Sequence, residues 1–484
     1  MEWIKQHRSL ILITGLAALL RIPTLTMESL WYDEAFTAWL SSLPLDRLIA
    51  GAMGDVHPPT WYIIEWVVIH LLGRSEFSLR IVSALAGIAL VTAVYRLALA
   101  FNLDRPRALA SAALAAVAPF LVYYSQESRA YSLIFLLTTI ATIAVLERRH
   151  WLLIVSATLA LYLHNLVIFY IAALAWLALY RRADWRMLAS FAAIGILWLP
   201  WLVWGLSGQV SDVQDGFWVR SPTIGTPFFL LTCFLFSNKA ILFFAVTVPV
   251  LALALALGLS HPGPKVEFLG LILIPLSLIL ILSRVVVPIT GDRFIGSSAI
   301  ILYLLISPAL IPTRWPPRPW SRYILPAMFG LVLIGFYATY WGTARIGRYP
   351  WDFGLDQFQL ERRSDDGIFH ANLATYIVYQ YYLPNDQAVW KQANDLGQSL
   401  TDGTKWAMDM SQAQFEEVAC NHPRWWLAFY ENPTTSDRER GEIQRIIDTY
   451  HGQKVSTILK NELVDARIYL IDQPCKILTT AESS

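Results

Sequence analysis

The chain is poor in the features that soluble enzymes usually carry. Only 15% of its 484 residues are charged, against 56% hydrophobic, which leaves too little polar surface for a soluble domain of that length. Three cysteines are too few for a disulfide framework or a structural zinc site. No Walker loop, GxGxxG, HExxH or CxxC pattern occurs, so the phosphate cradles of nucleotide enzymes and the common zinc-hydrolase signature are missing. The net charge of +1 argues neither way about nucleic acid, and no nucleic-acid partner is expected. A cleavable signal is also missing. The polar, basic Met1–Arg8 precedes an apolar run that lacks a small-residue cleavage site, so that run is read as a retained signal anchor.

The apolar residues are gathered into blocks of the length that crosses a hydrocarbon core. Taken as spans, they cover about 9–26, 79–100, 107–124, 131–147, 151–164, 165–180, 187–204, 239–259, 266–284, 295–312 and 323–341, about eleven helices. The segments between them alternate in charge. One set is basic: Lys5/Arg8, Arg105/Arg107, Arg148/Arg149, Arg181/Arg182/Arg186, Lys265 and Arg314/Arg318/Arg322. The other set is not: 27–78, 125–130, the His164-Asn165 turn, 205–238, 285–294 and the tail after 341. The positive-inside rule assigns the basic set to the cytoplasm. The expected protein is a multi-pass, polytopic α-helical protein of the inner (cytoplasmic) membrane, with a cytoplasmic N-terminus. Trp61–Leu72 and Pro227–Phe236 are too short to span and break the alternation if counted. Both read as helices lying in the outer interface.

Composition changes after residue 341, so two domains are expected: 1–341, membrane-embedded with a first outer loop at 27–78, and 342–484, a small extracytoplasmic α/β domain. In the tail, Arg424–Tyr430 and Ala466–Ile471 read as strands, and Ser436–Tyr450 as a helix with Ser436 as its cap. Cys420 and Cys475 both lie in this tail and can form one bridge if it faces an oxidising compartment. Cys233 sits in an apolar stretch and reads as packing.

Ionisable groups near the membrane are costly, and each asks for a reason. The first outer loop is densest, with Asp33-Glu34 between aromatics and Asp55-Val56-His57-Pro58-Pro59 further on. Two adjacent carboxylates can divide labour, one taking a proton from an attacking hydroxyl and the other fixing that hydroxyl or a metal. Equally, they can cap a helix running through Phe36–Leu40. The proline pair suits a helix start at Thr60. In the outer turn Ser125-Gln126-Glu127-Ser128-Arg129, Arg129 can pair with Glu127 or present its planar fork to a phosphate. Arg293 is open in the same way, between Asp292 and a phosphate, and so is Arg80 after Glu76. His57 and His164, each taken alone, read as structural, and Arg21 reads as snorkelling from the first span.

SLWYDEAFTAW, DVHPPTWY, SEFSLRIVSALAGI, YYSQESRAYS and GDRF occur in that order through about residues 10–310. Together they resemble the bacterial family-39-type glycosyltransferases of the GT-C superfamily, relatives of the protein O-mannosyltransferases and the lipid A aminoarabinose transferases. The tail is similar to the extracytoplasmic domain that some members append. The resemblance implies a GT-C fold and a hexosyl- or pentosyltransferase that takes a monosaccharide from a polyprenyl phosphate. It places Asp33 as base with Glu34 as partner, and Asp55 and His57 in the site. A departing phosphate also needs its charge stabilised, for which Arg129 beside Glu127, with Arg293 as a second candidate, is the expected clamp at the substrate. Oligosaccharyltransferase relatives hold a divalent metal with acidic pairs. The second motif here is Asp-x-His, which leaves a magnesium or manganese ion open.

An enzyme at the outer face has no supply of nucleotide sugars, so a lipid-borne donor suits that location. The acceptor is a hydroxyl of a lipid, glycan or protein. Two rival readings fit a polytopic chain: a lipid or glycan transporter or flippase, and a ligase that moves a preassembled glycan. The charges gather in outer loops rather than at the midplane, and no paired broken helices are evident, which counts against a transporter.

Overall fold

The computed structural model describes residues 2–55, 57–205, 221–236, 244–286, 288–311, 358–371, 373–383, 388–391, 412–431, 437–461 and 464–481, with isolated positions such as Tyr337, Leu355 and Thr404 between them. The expected Arg314/Arg318/Arg322 segment, most of the expected 323–341 span and the Ser436 cap lie outside the described residues. The chain divides into two compact units. The first comprises Met1–Leu25, Val56–Trp61 and Phe77–Ala344, and the second Thr26–Asp55, Tyr62–Glu76 and Arg345–Ser484. The first loop therefore groups largely with the tail rather than with the helices around it in sequence.

The first unit is helical, and its elements follow the apolar blocks. Predicted spans at 131–147, 187–204 and 266–284 correspond to helices Tyr131–Leu146, Trp185–Trp204 and Lys265–Val285. Among the described residues, three helices are long and apolar enough to cross a membrane: Glu76–Ala100, Trp185–Trp204 and Lys265–Val285. Arg105–Val117 and Pro119–Ser125, bent by 54° at their junction, make a fourth if they are one span. The remaining apolar helices are shorter, at 10–17 residues.

Local chemistry sets the helix ends. Asp104 accepts from the Arg107 N–H at 3.0 Å, and Asp184 from the Met187 N–H at 3.0 Å, each capping the helix that follows it. The bend at Ala118 has a covalent cause. Pro119 has no N–H to give to the carbonyl of Ala115, so the ladder breaks there. Arg21 fills the gap. Its guanidinium donates to the carbonyls of Ala115 (3.1 Å) and Ala116 (2.8 Å) and to Ser125 Oγ (3.1 Å). The snorkelling expected of Arg21 is thus overturned: the side chain is fully buried because the proline-broken helix offers it carbonyls that need a donor.

Polar contacts join several helix ends. Arg96 pairs with Glu147 (2.7 Å), Arg107 donates to the Pro262 carbonyl (2.7 Å), and Arg181 pairs with Glu267 (2.9 Å). These contacts join ends that the charge pattern assigns to one side.

The second unit holds a six-stranded sheet: β1 (Gly367–His370), β2 (Ala388–Lys391), β3 (Gln412–Ala413), β4 (Arg424–Glu431), β5 (Gln453–Asn461) and β6 (Val464–Asp472), in the order β3-β2-β1-β4-β6-β5. The first four strands are parallel, and β6 runs antiparallel to β4 and β5. Helix Asp437–Thr449 lays Ile443, Ile446 and Ile447 on a core with Phe415, Trp425, Leu427 and Phe429. Cys420 and Cys475 are bonded, with Cα atoms 4.6 Å apart, and Cys233 is free and buried. Helix Leu373–Tyr382 packs Tyr376 against Trp39 of helix Tyr32–Leu40, ring centroids 5.7 Å apart.

Candidate functional site

In the first unit, the polar residues converge on the turn between helices Pro119–Ser125 and Tyr131–Leu146. Gln126, Glu127, Ser128 and Arg129 are all buried despite their polarity, and the turn is pinned from three directions. The Gln126 side-chain Nε2 donates to the Leu20 carbonyl (3.2 Å) and to Thr24 Oγ1. The Trp61 indole donates to the Ser128 carbonyl (3.2 Å), and the Ser83 hydroxyl to the Arg129 carbonyl (2.9 Å). The Arg129 N–H closes the turn on the Glu127 carbonyl at 2.8 Å. A turn held this way presents its side chains in one geometry.

The Arg129 side chain meets His57, with Nη2 3.1 Å from Nε2. A guanidinium can only donate, so the His57 Nε2 is the acceptor and carries no proton. His57 sits just before Pro58-Pro59, and helix Thr60–Leu72 starts where that pair predicts. The His57 ring lies 5.1 Å from the His164 ring, edge to face. His164 Nδ1 accepts from the Leu166 N–H at 3.1 Å, which leaves the proton on Nε2 in the neutral ring.

His164 continues the chain of contacts. Its ring lies 5.9 Å from Tyr131 and 5.2 Å from Phe294. The Arg293 guanidinium stands 5.6 Å from the Tyr131 ring and 5.3 Å from the Phe294 ring, within cation–π range of both. Asp292 accepts from Tyr124 O–H (3.2 Å) and from the Arg293 N–H (2.9 Å). Burial pushes the Asp292 carboxyl up, while Arg293 and these hydrogen bonds pull against it. Arg80, fully buried, donates to the Leu25 carbonyl at 2.6 Å.

The structure therefore brings His57, Glu127, Arg129 and Arg293 into one aromatic-walled cluster, together with His164. Sequence reasoning gave His164 a structural role. Its only signal was a polar His-Asn pair between two apolar blocks, which says nothing of what the ring faces.

Asp33, Glu34 and Asp55 belong to the second unit. Asp33 and Glu34 fall in the first turn of helix Tyr32–Leu40 but differ in surroundings. Glu34 is fully buried, and its Oε2 accepts from the Trp31 N–H at 3.4 Å, at the helix start. The capping alternative thus applies to Glu34. Asp33 is half-buried. Asp55 accepts from Tyr62 O–H, and Tyr62 holds the far end of the Asp33 helix through its carbonyl, which takes the Ser41 hydroxyl at 3.0 Å.

No group of three or more His, Cys, Asp or Glu among the described residues is placed to hold a metal ion.

Residues 56–204 match the family described as dolichyl-phosphate-mannose-protein mannosyltransferase. That segment contains His57, Glu127, Arg129 and His164, and is well under half of the chain. The structure of ArnT from Cupriavidus metallidurans bound to undecaprenyl phosphate covers 96% of this chain and 98% of its own, with a TM-score of 0.63 and 14% identity. The apo structure of the same protein has the same coverage and TM-score at 15% identity. The fold is that of the GT-C membrane glycosyltransferases. The chain resembles the mannosyltransferase family in sequence over residues 56–204 and shares the ArnT fold over nearly its whole length. No curated protein matches it by sequence.

Proposed function

We propose that this chain moves a monosaccharide from a polyprenyl phosphate to an acceptor hydroxyl at the outer face of the cytoplasmic membrane. The observation that carries the reading is the Arg129 guanidinium, oriented by a neutral His57 at 3.1 Å within a cluster that also holds Arg293. A polyprenyl phosphate is already a good leaving group, so the main demands are anion stabilisation and removal of the acceptor proton. Two guanidinium forks suit the first demand, since each matches phosphate oxygens in a plane. Asp33 suits the second.

In this reading the acceptor oxygen attacks the anomeric carbon as its proton passes to the Asp33 carboxylate. The bond from that carbon to the phosphate oxygen breaks, and the electron pair leaves with the polyprenyl phosphate between Arg129 and Arg293. A direct displacement inverts the anomeric centre. Within the second unit Glu34 holds the helix that carries Asp33 and Asp55 is a proposed substrate contact, while in the first unit His57 and Glu127 flank Arg129.

The ArnT structure bound to undecaprenyl phosphate supports a lipid-linked donor. The contacts among basic connecting ends, and separately among the outer turns around His164, support one side for each set. The Cys420–Cys475 bond supports an extracytoplasmic tail.

The test is Asp33→Asn, purified in detergent and given a polyprenyl-phosphate-linked labelled sugar. Transfer is expected to fall by about 100-fold or more with an unchanged melting midpoint. Transfer at the wild-type rate removes Asp33 as base. Mass analysis of envelope glycolipids and glycans with and without the protein then identifies sugar and acceptor.

A further inference from the structure

The second unit joins two stretches far apart in sequence, and the join is tight at the end of helix Leu373–Tyr382. The N–H of Leu30, two residues before the helix that carries Asp33, donates to the Tyr382 hydroxyl at 2.8 Å. That hydroxyl lies 3.1 Å from Glu76 Oε1 and donates to it. One phenol thus uses both its acceptor and its donor capacity to tie the start of the first loop to its end. Burial, with Glu76 beside it, raises the phenol far above its ordinary value, so it stays a donor.

Neighbouring contacts make this a fixed post. Arg74 Nη2 donates to the Tyr381 carbonyl at 3.1 Å, and its guanidinium stands 4.4 Å from the Tyr381 ring. That carbonyl is among the last four of its helix, which lack intrahelical partners, and a cation at that end suits the helix dipole. Trp39, on the last turn of the Asp33 helix, rests on Tyr376 of the same tail helix. Both ends of the Asp33 helix are therefore referenced to residues 373–382. Asp33 itself sits in the first turn, where a shift of Leu30 and Trp31 carries its carboxylate along. A displacement of about 1 Å at a reacting group can cost on the order of 100-fold in rate.

We propose that Tyr382 is a positioning residue for the Asp33 carboxylate, acting through the Leu30 N–H with Glu76 as its anchor. The inference rests on the reading of Asp33 as the base.

The test uses the full chain in lipid, with three readouts on Tyr382→Phe: transfer kinetics from a polyprenyl-phosphate-linked sugar, melting midpoint, and hydrogen exchange over residues 30–36. The ring and its packing remain and one oxygen is lost. The expected kcat falls about 10- to 100-fold, with the donor KM within about twofold and the folded state retained, its midpoint lowered by only a few degrees. Exchange over 30–36 rises. Glu76→Gln keeps an acceptor oxygen and most of the rate, whereas Glu76→Ala matches Tyr382→Phe, and the double variant is no slower than the worse single. A wild-type kcat, or unchanged exchange over 30–36, in Tyr382→Phe overturns the inference while Asp33→Asn remains inactive. Normal transfer by Asp33→Asn overturns the functional reading instead, so the two failures are distinct.

Discussion

The Arg129 guanidinium donates to Nε2 of His57 across 3.1 Å, which fixes the imidazole as neutral in the assembled site. The first prediction follows from that contact. His57→Gln retains an acceptor oxygen and should keep most of the transfer rate. His57→Ala removes one acceptor from a buried guanidinium, a cost of about 1–3 kcal/mol, or roughly 5- to 150-fold in rate if it appears in the transition state. Initial rates of transfer for the three chains decide it, and a wild-type rate in His57→Ala would show that the contact does not orient Arg129.

A second prediction concerns the bend that shapes the turn. Gly87 lies against Ser125, and a Cβ there would fall on Ser125 Oγ, 2.8 Å from Ser125 Cβ and 3.1 Å from Arg21 Nε. Ser125 cannot swing away cheaply, since its hydroxyl also donates to the Leu121 carbonyl and accepts from Arg21. Gly87→Ala is expected to destabilise by about 1–3 kcal/mol as overpacking and to disturb the Arg21 contacts with Ala115 and Ala116. The melting midpoint in detergent measures it, and a midpoint equal to wild type would show that the helices separate without cost.

What could be read from the sequence was what hydropathy and charge write locally. Helices Tyr131–Leu146 and Trp185–Trp204 fall within a few residues of their apolar blocks, because burial of backbone in lipid forces helix wherever the block is long enough. Strands β4 and β6 and helix Asp437–Thr449 were likewise legible from short apolar runs and periodicity. Residues that work through distant partners were not legible. Arg21 reads as a snorkelling arginine until its acceptors, at Ala115 and Ala116, are known to be orphaned by Pro119. Tyr382 sits in an unremarkable aromatic run, and its partner Leu30 is 352 residues away. For Glu34 the two alternatives, cap and chemistry, have the same local pattern, and only its burial separates it from Asp33.

The third prediction lies in the sheet of the second unit. Asp366 is buried and accepts from Arg424 Nε (2.8 Å) and Nη2 (2.6 Å), from the Trp426 indole (2.6 Å) and from the Arg363 N–H (3.0 Å). Burial alone would raise the carboxyl, but the bonds from Arg424, Trp426 and the Arg363 backbone outweigh it and hold it below the ordinary carboxylate value. A carboxyl depressed in the folded state stabilises above its unfolded value, about pH 4, and that stability is lost as pH falls through the folded value. Acid unfolding of this unit should therefore begin below about pH 4. Asp366→Ala should cost about 3–5 kcal/mol at neutral pH, since it strands Arg424 as a buried charge. Tryptophan fluorescence during acid titration checks both, through Trp425 and Trp426 at the same site.

The last prediction tests the bridge. Cys420 and Cys475 enclose 55 residues of separation, a span that includes β4, helix Asp437–Thr449, β5 and β6. Closing such a loop restricts the unfolded chain, and removing the bond is expected to cost about 2–4 kcal/mol. The double variant Cys420→Ser/Cys475→Ser should melt earlier by that amount, while wild type treated with a reductant should approach it. The free Cys233 gives an internal control. Buried in an apolar helix of the first unit, it should resist alkylation in the folded protein, while Cys420 and Cys475 react only after reduction. Labelling of Cys420 and Cys475 in unreduced protein isolated from cells would show the thiols free, and would argue against an oxidising compartment for the tail.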